Sequence, residues 1–186
     1  MSEQAAPTGE TAVVIVPPHD ICGFADHYRR LYMPDTLHRI PPHITLAYPF
    51  VPFDELEAAM PRLADALAAC PPRAISIRGF SVFRDTGILY LHVANDERVL
   101  SLYHAILAEF PDYPAYKGQF GPDLVPHMGV GKFTDPGELE RVYQELSGMR
   151  LFLSWDVECV QVMYKDTDGI WQLCAEIPLA GAPGNC

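Results

Sequence analysis

His43, Thr45 and His127 have the side-chain types and spacing for acid–base work on a phosphate. His43 and Thr45 lie two residues apart in Pro42-His43-Ile44-Thr45-Leu46. Alternate residues of a strand share a face, so the imidazole and the hydroxyl project together while Ile44 and Leu46 pack behind. His127 sits in Pro126-His127-Met128-Gly129-Val130. There Met128 and Val130 turn to a core, and His127 and Gly129 to the open face. Facing each other across a groove, two such histidines suit attack on a phosphodiester. A neutral imidazole removes a proton from the attacking water or hydroxyl, an imidazolium protonates the leaving oxygen, and a hydroxyl donates to a non-bridging oxygen. Each proton-transfer role is worth about 10² to 10⁴ in rate. Histidine titrates near neutral pH, so the scheme needs no metal and no cofactor.

The elements that must position these residues follow from pattern. Ala12-Val13-Val14-Ile15-Val16 is a continuous apolar run ended by Pro17-Pro18 and reads as a buried strand. Residues 23–32 read as a short helix, 43–48 as a strand, and 56–69 as a helix with Asp54 as N-cap and Glu57 as its capping-box partner. Residues 74–83 and 88–94 form a hairpin around Thr86-Gly87. Asn95 caps a helix over 97–109, and 111–126 is a long Pro-, Gly- and Tyr-rich loop suited to covering a substrate. His127 to Phe133 is a strand, Asp135-Pro136 opens a helix ending near Gly148, and 151–165 and 170–178 are the last strands. The order strand, helix, strand, helix, strand occurs twice. In both copies the middle strand begins Pro-His, a phenylalanine follows (Phe50 or Phe133), and then an Asp-capped helix. This predicts one α+β domain over about residues 11–180, built of two pseudo-symmetric lobes of about 12–83 and 88–178, with crossing of the chain between them left open. Residues 1–10 and 181–186 are expected to be disordered tails.

Composition limits the partners. The chain has 186 residues, 24 acidic and 13 basic, for a formal charge of −11. That balance opposes gripping a long duplex nucleic acid, which needs a basic stripe, but allows a small phosphate in a local pocket. The start lacks the basic and apolar segments of a signal peptide, and no apolar run approaches the roughly 20 residues needed to span a bilayer. The five cysteines, Cys22, Cys70, Cys159, Cys174 and Cys186, match neither a disulfide framework nor a zinc pattern. A cytoplasmic monomer with reduced thiols is expected.

The segments PPHITLAYPF and PHMGVGKF resemble the two signature motifs of the 2H phosphoesterase superfamily, closest to its bacterial 2′-5′ RNA ligase and cyclic nucleotide phosphodiesterase branch. The likeness spans about residues 12–178. It implies two antiparallel-rich sheets with helices on their outer faces around a central groove. It also implies His43 and His127 as general acid and base, and Thr45 as phosphate ligand. The implied reactions are hydrolysis of cyclic phosphodiesters, especially 2′,3′-cyclic ends, and reversible 2′-5′ ligation. The acidic balance favours a small nucleotide or short RNA end over tRNA ligation. Gly129 departs from the pattern, which has Thr or Ser there. Three consequences stay open: a rate lowered roughly 10- to 100-fold by a lost hydrogen bond to a charged group, a backbone N–H approaching the phosphate with room for a bulkier substrate, or a decayed site that only binds nucleotide or RNA.

Tyr90, His92, Lys132, Tyr164 and Lys165 are further groove candidates. Tyr90 and His92 share the face opposite Leu89, Leu91 and Val93. Lys132 and Lys165, with Arg39 and Arg84, offer a positive patch on an acidic background. Tyr48, Tyr90, Tyr113, Tyr116 and Tyr164 offer rings for stacking on a base. His19 follows a Pro but lacks a neighbouring hydroxyl. A metal site on His43, His127 and His92 is disfavoured, since no carboxylate lies at ligand spacing from them.

Overall fold

The computed structural model describes residues 6–119 and 124–180. The chain runs β1 (Pro7–Ile15), α1 (His19–Tyr32), β2 (Ile44–Ala47), α2 (Leu56–Leu67), β3 (Arg73–Phe83), β4 (Ile88–Val93), α3 (Glu97–Glu109), β5 (His127–Lys132), α4 (Pro136–Ser147), β6 (Leu153–Val157), β7 (Cys159–Asp166) and β8 (Trp171–Pro178). Two four-stranded antiparallel sheets result, ordered β2-β1-β7-β8 and β5-β4-β3-β6. The fold is α+β.

The two sheets do not divide the chain into consecutive halves. A cut between residues 83 and 88 would divide the β3–β4 hairpin, which lies within one sheet. The second sheet takes its strands from residues 73–157, while the first combines the N-terminal strands with β7 and β8. The single strand expected over 151–165 is therefore two. Val157 ends β6 in the second sheet, and Cys159 opens β7 in the first. Only Glu158 separates them, so the chain crosses between sheets without a loop.

One continuous core joins both sheets. Val13, Ile15, Ile44 and Leu46 of the first sheet belong to the same buried cluster as Ile75, Ile77, Leu89, Leu91, Met128 and Val130 of the second. Helices from each lobe reach across. Helix α1, which follows β1, packs on β5, and α3, which follows β4, packs on β2 as well as on β3. Gly131 makes the first crossing possible. A Cβ there would lie 3.0 Å from the Tyr32 Cβ and 3.1 Å from that of Leu89.

The tails and caps also differ from expectation. Residues 7–10 are not a free tail. They begin β1, where Pro7 pairs with Asp166 and the Thr8 hydroxyl donates to the Lys165 carbonyl at 3.0 Å. Residues 1–5 and 181–186, Cys186 included, lie outside the described residues. The other four cysteines are free thiols. Asp54 is not an N-cap, because it falls within a 3₁₀ turn over Phe53–Glu55 that leads into α2. Asn95 does not cap α3. Its side-chain oxygen accepts from the Ser76 N–H at 2.8 Å and its amide donates to the Ala74 carbonyl at 2.8 Å, tying the helix start to β3. Asp135 does cap α4, accepting from the Gly137 N–H at 2.8 Å.

Candidate active site

β2 and β5 are edge strands of their respective sheets, and these two edges pack against each other. Thr45 faces the same side of the first sheet as Val14, its register partner, and His43 immediately precedes β2. On β5, Gly129 pairs with Tyr90 and His127 with His92. The two motifs thus meet where the sheets meet.

Both imidazoles are fixed by local backbone. The rigid Pro41-Pro42 and Pro126 favour extended chain before each histidine. The His43 Nδ1 lies 2.9 Å from the Pro41 carbonyl oxygen, and the His127 Nδ1 lies 2.8 Å from that of Val125. A carbonyl only accepts, so each Nδ1 carries the proton and donates it. In the neutral rings Nε2 is left with its lone pair. Burial pushes the His43 pKa down to about 4, with further lowering from the charges of Arg29 and His127, against the raising effect of the Pro41 bond. Burial likewise lowers that of His127, opposed by the Val125 bond. Both rings are neutral at pH 7 in the free protein.

His43, Thr45, His127 and Gly129 line one cavity of about 850 Å³, within the range of pockets that take nucleotide-sized ligands. Thr45 is 8% exposed. Its hydroxyl hydrogen-bonds with that of Tyr116, which enters the cavity from a 3₁₀ turn over Ala115–Gly118. A Cβ at Gly129 would meet nothing within 4 Å, so no neighbour forbids a side chain there.

The positive charge comes partly from a residue that the sequence patterns did not single out. Arg29, on α1, is 2% exposed and lines the cavity. Its guanidinium pairs with Asp26 at 2.7 Å and donates to the Thr36 and Ile40 carbonyls at 3.0 and 2.6 Å. It therefore pins the segment leading into Pro41-Pro42-His43. Lys132 and Arg84 also line the cavity. Lys132 donates to the Thr86 carbonyl, and Arg84 pairs with Glu140 at 2.9 Å in an exposed contact. Among the described residues, no group of three or more His, Cys, Asp or Glu side chains is arranged to hold a metal ion.

A family model described as the 2′-5′ RNA ligase superfamily matches residues 17–169. The chain belongs to this superfamily. It is 34% identical, over 86% of its length and 90% of the relative's, to "Putative phosphoesterase GK0864" of Geobacillus kaustophilus. It is 29% identical to a protein of the same description from Geobacillus thermodenitrificans, with the same coverage. Its fold matches TT0787 of Thermus thermophilus, with a TM-score of 0.64, 15% identity, and 94% and 100% of the two chains covered. It also matches E. coli LigT crystallised with 3′-AMP, with a TM-score of 0.64, 14% identity, and 92% and 98% covered. Membership and the relatives' names support a phosphoesterase- or ligase-type activity.

Several groove candidates fall elsewhere in this superfamily member. His92 shares a face with His127 but is exposed and outside the cavity lining. Tyr90 is also outside the lining. It is 6% exposed, stacked on Phe83 at 4.3 Å and set edge-on to His127 at 5.5 Å, so it packs beside the histidine on the same face of the sheet. Tyr164 packs on Phe53 at 4.9 Å, away from the cavity. Lys165 faces the same side as Thr45 but stands two strands away, paired with Glu10 at 3.1 Å. Arg39, Tyr48 and Tyr113 are outside the lining too, and His19 is the first residue of α1. Lys132 and Tyr116 do line it. Among the described residues, no helix is long and apolar enough to cross a membrane.

Proposed function

We propose that the chain is a metal-independent phosphodiesterase that opens a 2′,3′-cyclic, or cleaves a 2′-5′, phosphodiester at a small nucleotide or short RNA end. The carrying observation is the pair His43 and His127, held in one tautomer on opposed sheet edges in a cavity that also holds Thr45. One ring accepts a proton from the attacking water through Nε2. The other, charged once the phosphate is bound, gives a proton to the departing ribose oxygen. Thr45 donates to a non-bridging oxygen. Arg29 supplies positive potential beneath the site, although Asp26 offsets part of its charge.

That E. coli LigT was crystallised with 3′-AMP, ATP and NADP⁺ supports a nucleotide-sized ligand here. A second reading keeps binding and drops catalysis, and its support is the missing hydroxyl at Gly129. Incubating the protein in EDTA with 2′,3′-cyclic nucleotides and 2′-5′-linked dinucleotides separates the two. The proposal expects turnover of at least one panel member. Saturable binding across the panel without product favours the second reading.

A further inference from the structure

We propose that the Tyr116 hydroxyl is a phosphate ligand, replacing the hydroxyl that the second motif lacks at Gly129. The inference rests on the phosphate seat being between His43 and His127, as proposed above.

The first motif brings an imidazole and a hydroxyl, His43 and Thr45. The second brings an imidazole and an empty position, His127 and Gly129, with open space where a Cβ would be. Tyr116 bridges the two. Its ring lies within 28° of parallel to that of His127, with centroids 6.3 Å apart, and its hydroxyl bonds with that of Thr45. The hydroxyl therefore sits beside that of Thr45.

The backbone is bent to put it there. Tyr116 and Lys117 both have left-handed conformations, with φ of 54° and 57°, which residues carrying a Cβ seldom adopt. The Tyr116 N–H donates to the Tyr48 carbonyl, just beyond β2, and the Lys117 N–H donates to the Pro114 carbonyl at 3.0 Å. The first bond anchors the turn to the end of the strand that carries Thr45, and the second closes the turn on itself.

The chemistry of the pair fits an anion. Each hydroxyl has one proton to donate. A phosphate's non-bridging oxygens can accept both, exchanging one neutral hydrogen bond for two charge-assisted ones. Burial raises the Tyr116 pKa, so the phenol keeps its proton at neutral pH.

The test is calorimetric titration of inorganic phosphate into the wild type, Tyr116→Phe, Gly129→Ser and the double variant. Tyr116→Phe keeps the ring and its packing while removing the donor. It should weaken phosphate binding about tenfold. Adding Gly129→Ser to it should restore affinity to within about threefold of wild type, because the serine hydroxyl enters the open position. Equal or tighter binding by Tyr116→Phe would overturn the inference, since the tyrosine would then be packing or a plug. Failure of Gly129→Ser to restore binding would overturn it as well. Phosphate binding does not require turnover, so a wild type that shows this affinity pattern but hydrolyses no diester contradicts the proposed function and not this inference.

Discussion

His43 and His127 are held in the same way, each donating Nδ1–H to the carbonyl two residues earlier with a proline in between. The equivalence extends to charge, since both rings have lowered pKa values. On the proposed mechanism neither is preset as the acid. The ligand must supply the anion that favours an imidazolium.

A pH profile follows from this. On the proposed mechanism the free protein is productive when one ring is charged and the other neutral. Both pKa values lie below 6.5, so that form declines tenfold per pH unit above the higher of the two. We expect log kcat/KM to fall with slope −1 above about pH 6.5. The alkaline limb of kcat should lie at higher pH, because bound phosphate stabilises the imidazolium. A kcat/KM that stays flat or rises from about pH 6.5 to 8.5 would contradict the assignment.

Stability should follow pH with a definite sign. The pKa of His43 is about 4 when folded and near 6.5 when unfolded. Between these values the unfolded chain binds a proton that the folded chain excludes. Stability therefore rises with pH over that window and is lost as pH falls through it. The loss is at most about 3 kcal/mol for this residue. Denaturant unfolding at pH 7 and pH 5 should show a smaller difference for His43→Gln than for wild type. Equal differences would mean that the ring titrates normally.

Arg29 should matter for stability before it matters for rate. Arg29→Met removes the guanidinium from Asp26 and from the Ile40 carbonyl, while the Thr36 carbonyl still accepts from the Arg39 and Ile40 N–H groups. A loss of about 1–3 kcal/mol is expected in urea unfolding, since the Ile40 carbonyl loses its charged donor while the Asp26 carboxylate keeps access to water. Arg29→Lys should fall between, keeping the charge and losing the fork. A loss below about 1 kcal/mol for Arg29→Met would show that the contacts are dispensable.

Gly129 and Gly131 should respond oppositely to a side chain. A Cβ at Gly129 meets nothing within 4 Å, whereas at Gly131 it would lie 2.9 Å from the Phe133 ring and 3.0 Å from the Tyr32 Cβ. Gly129→Ser should change unfolding free energy by less than about 0.5 kcal/mol. Gly131→Ala should cost about 1–3 kcal/mol through overpacking against α1. Thermal or denaturant unfolding of the two variants distinguishes the positions.

The motifs were legible in the sequence because strand alternation is local. Pro42-His43-Ile44-Thr45 and Pro126-His127-Met128-Gly129 announce which side chains share a face, and the register agrees. The sheet assignment was less accessible. Nothing in the residues around Glu158 says that the chain changes sheet, because Val157-Glu158-Cys159 carries no glycine, proline or other turn signal. Arg29 and Asp26, spaced i, i+3 on a helix, resemble any surface pair, and only the turn over residues 34–40 buries the guanidinium. Tyr164 and Lys165 lie apart from the site because Tyr164 takes the opposite face of the sheet from Thr45 and Lys165 stands two strands away, and neither the pairing nor the strand order is local information. Tyr116 was legible only as an aromatic ring in a loop. Its left-handed backbone, which places the hydroxyl, has no signature in a residue other than glycine.

The most direct measurement is turnover of a 2′,3′-cyclic nucleotide in EDTA by wild type, His43→Ala, His127→Ala and the double variant. Groups that act as a unit lose activity non-additively. Each single variant should lose about 10² to 10⁴ in kcat, and the double little more than the worse single. Near wild-type turnover in the double variant would contradict the two-histidine account.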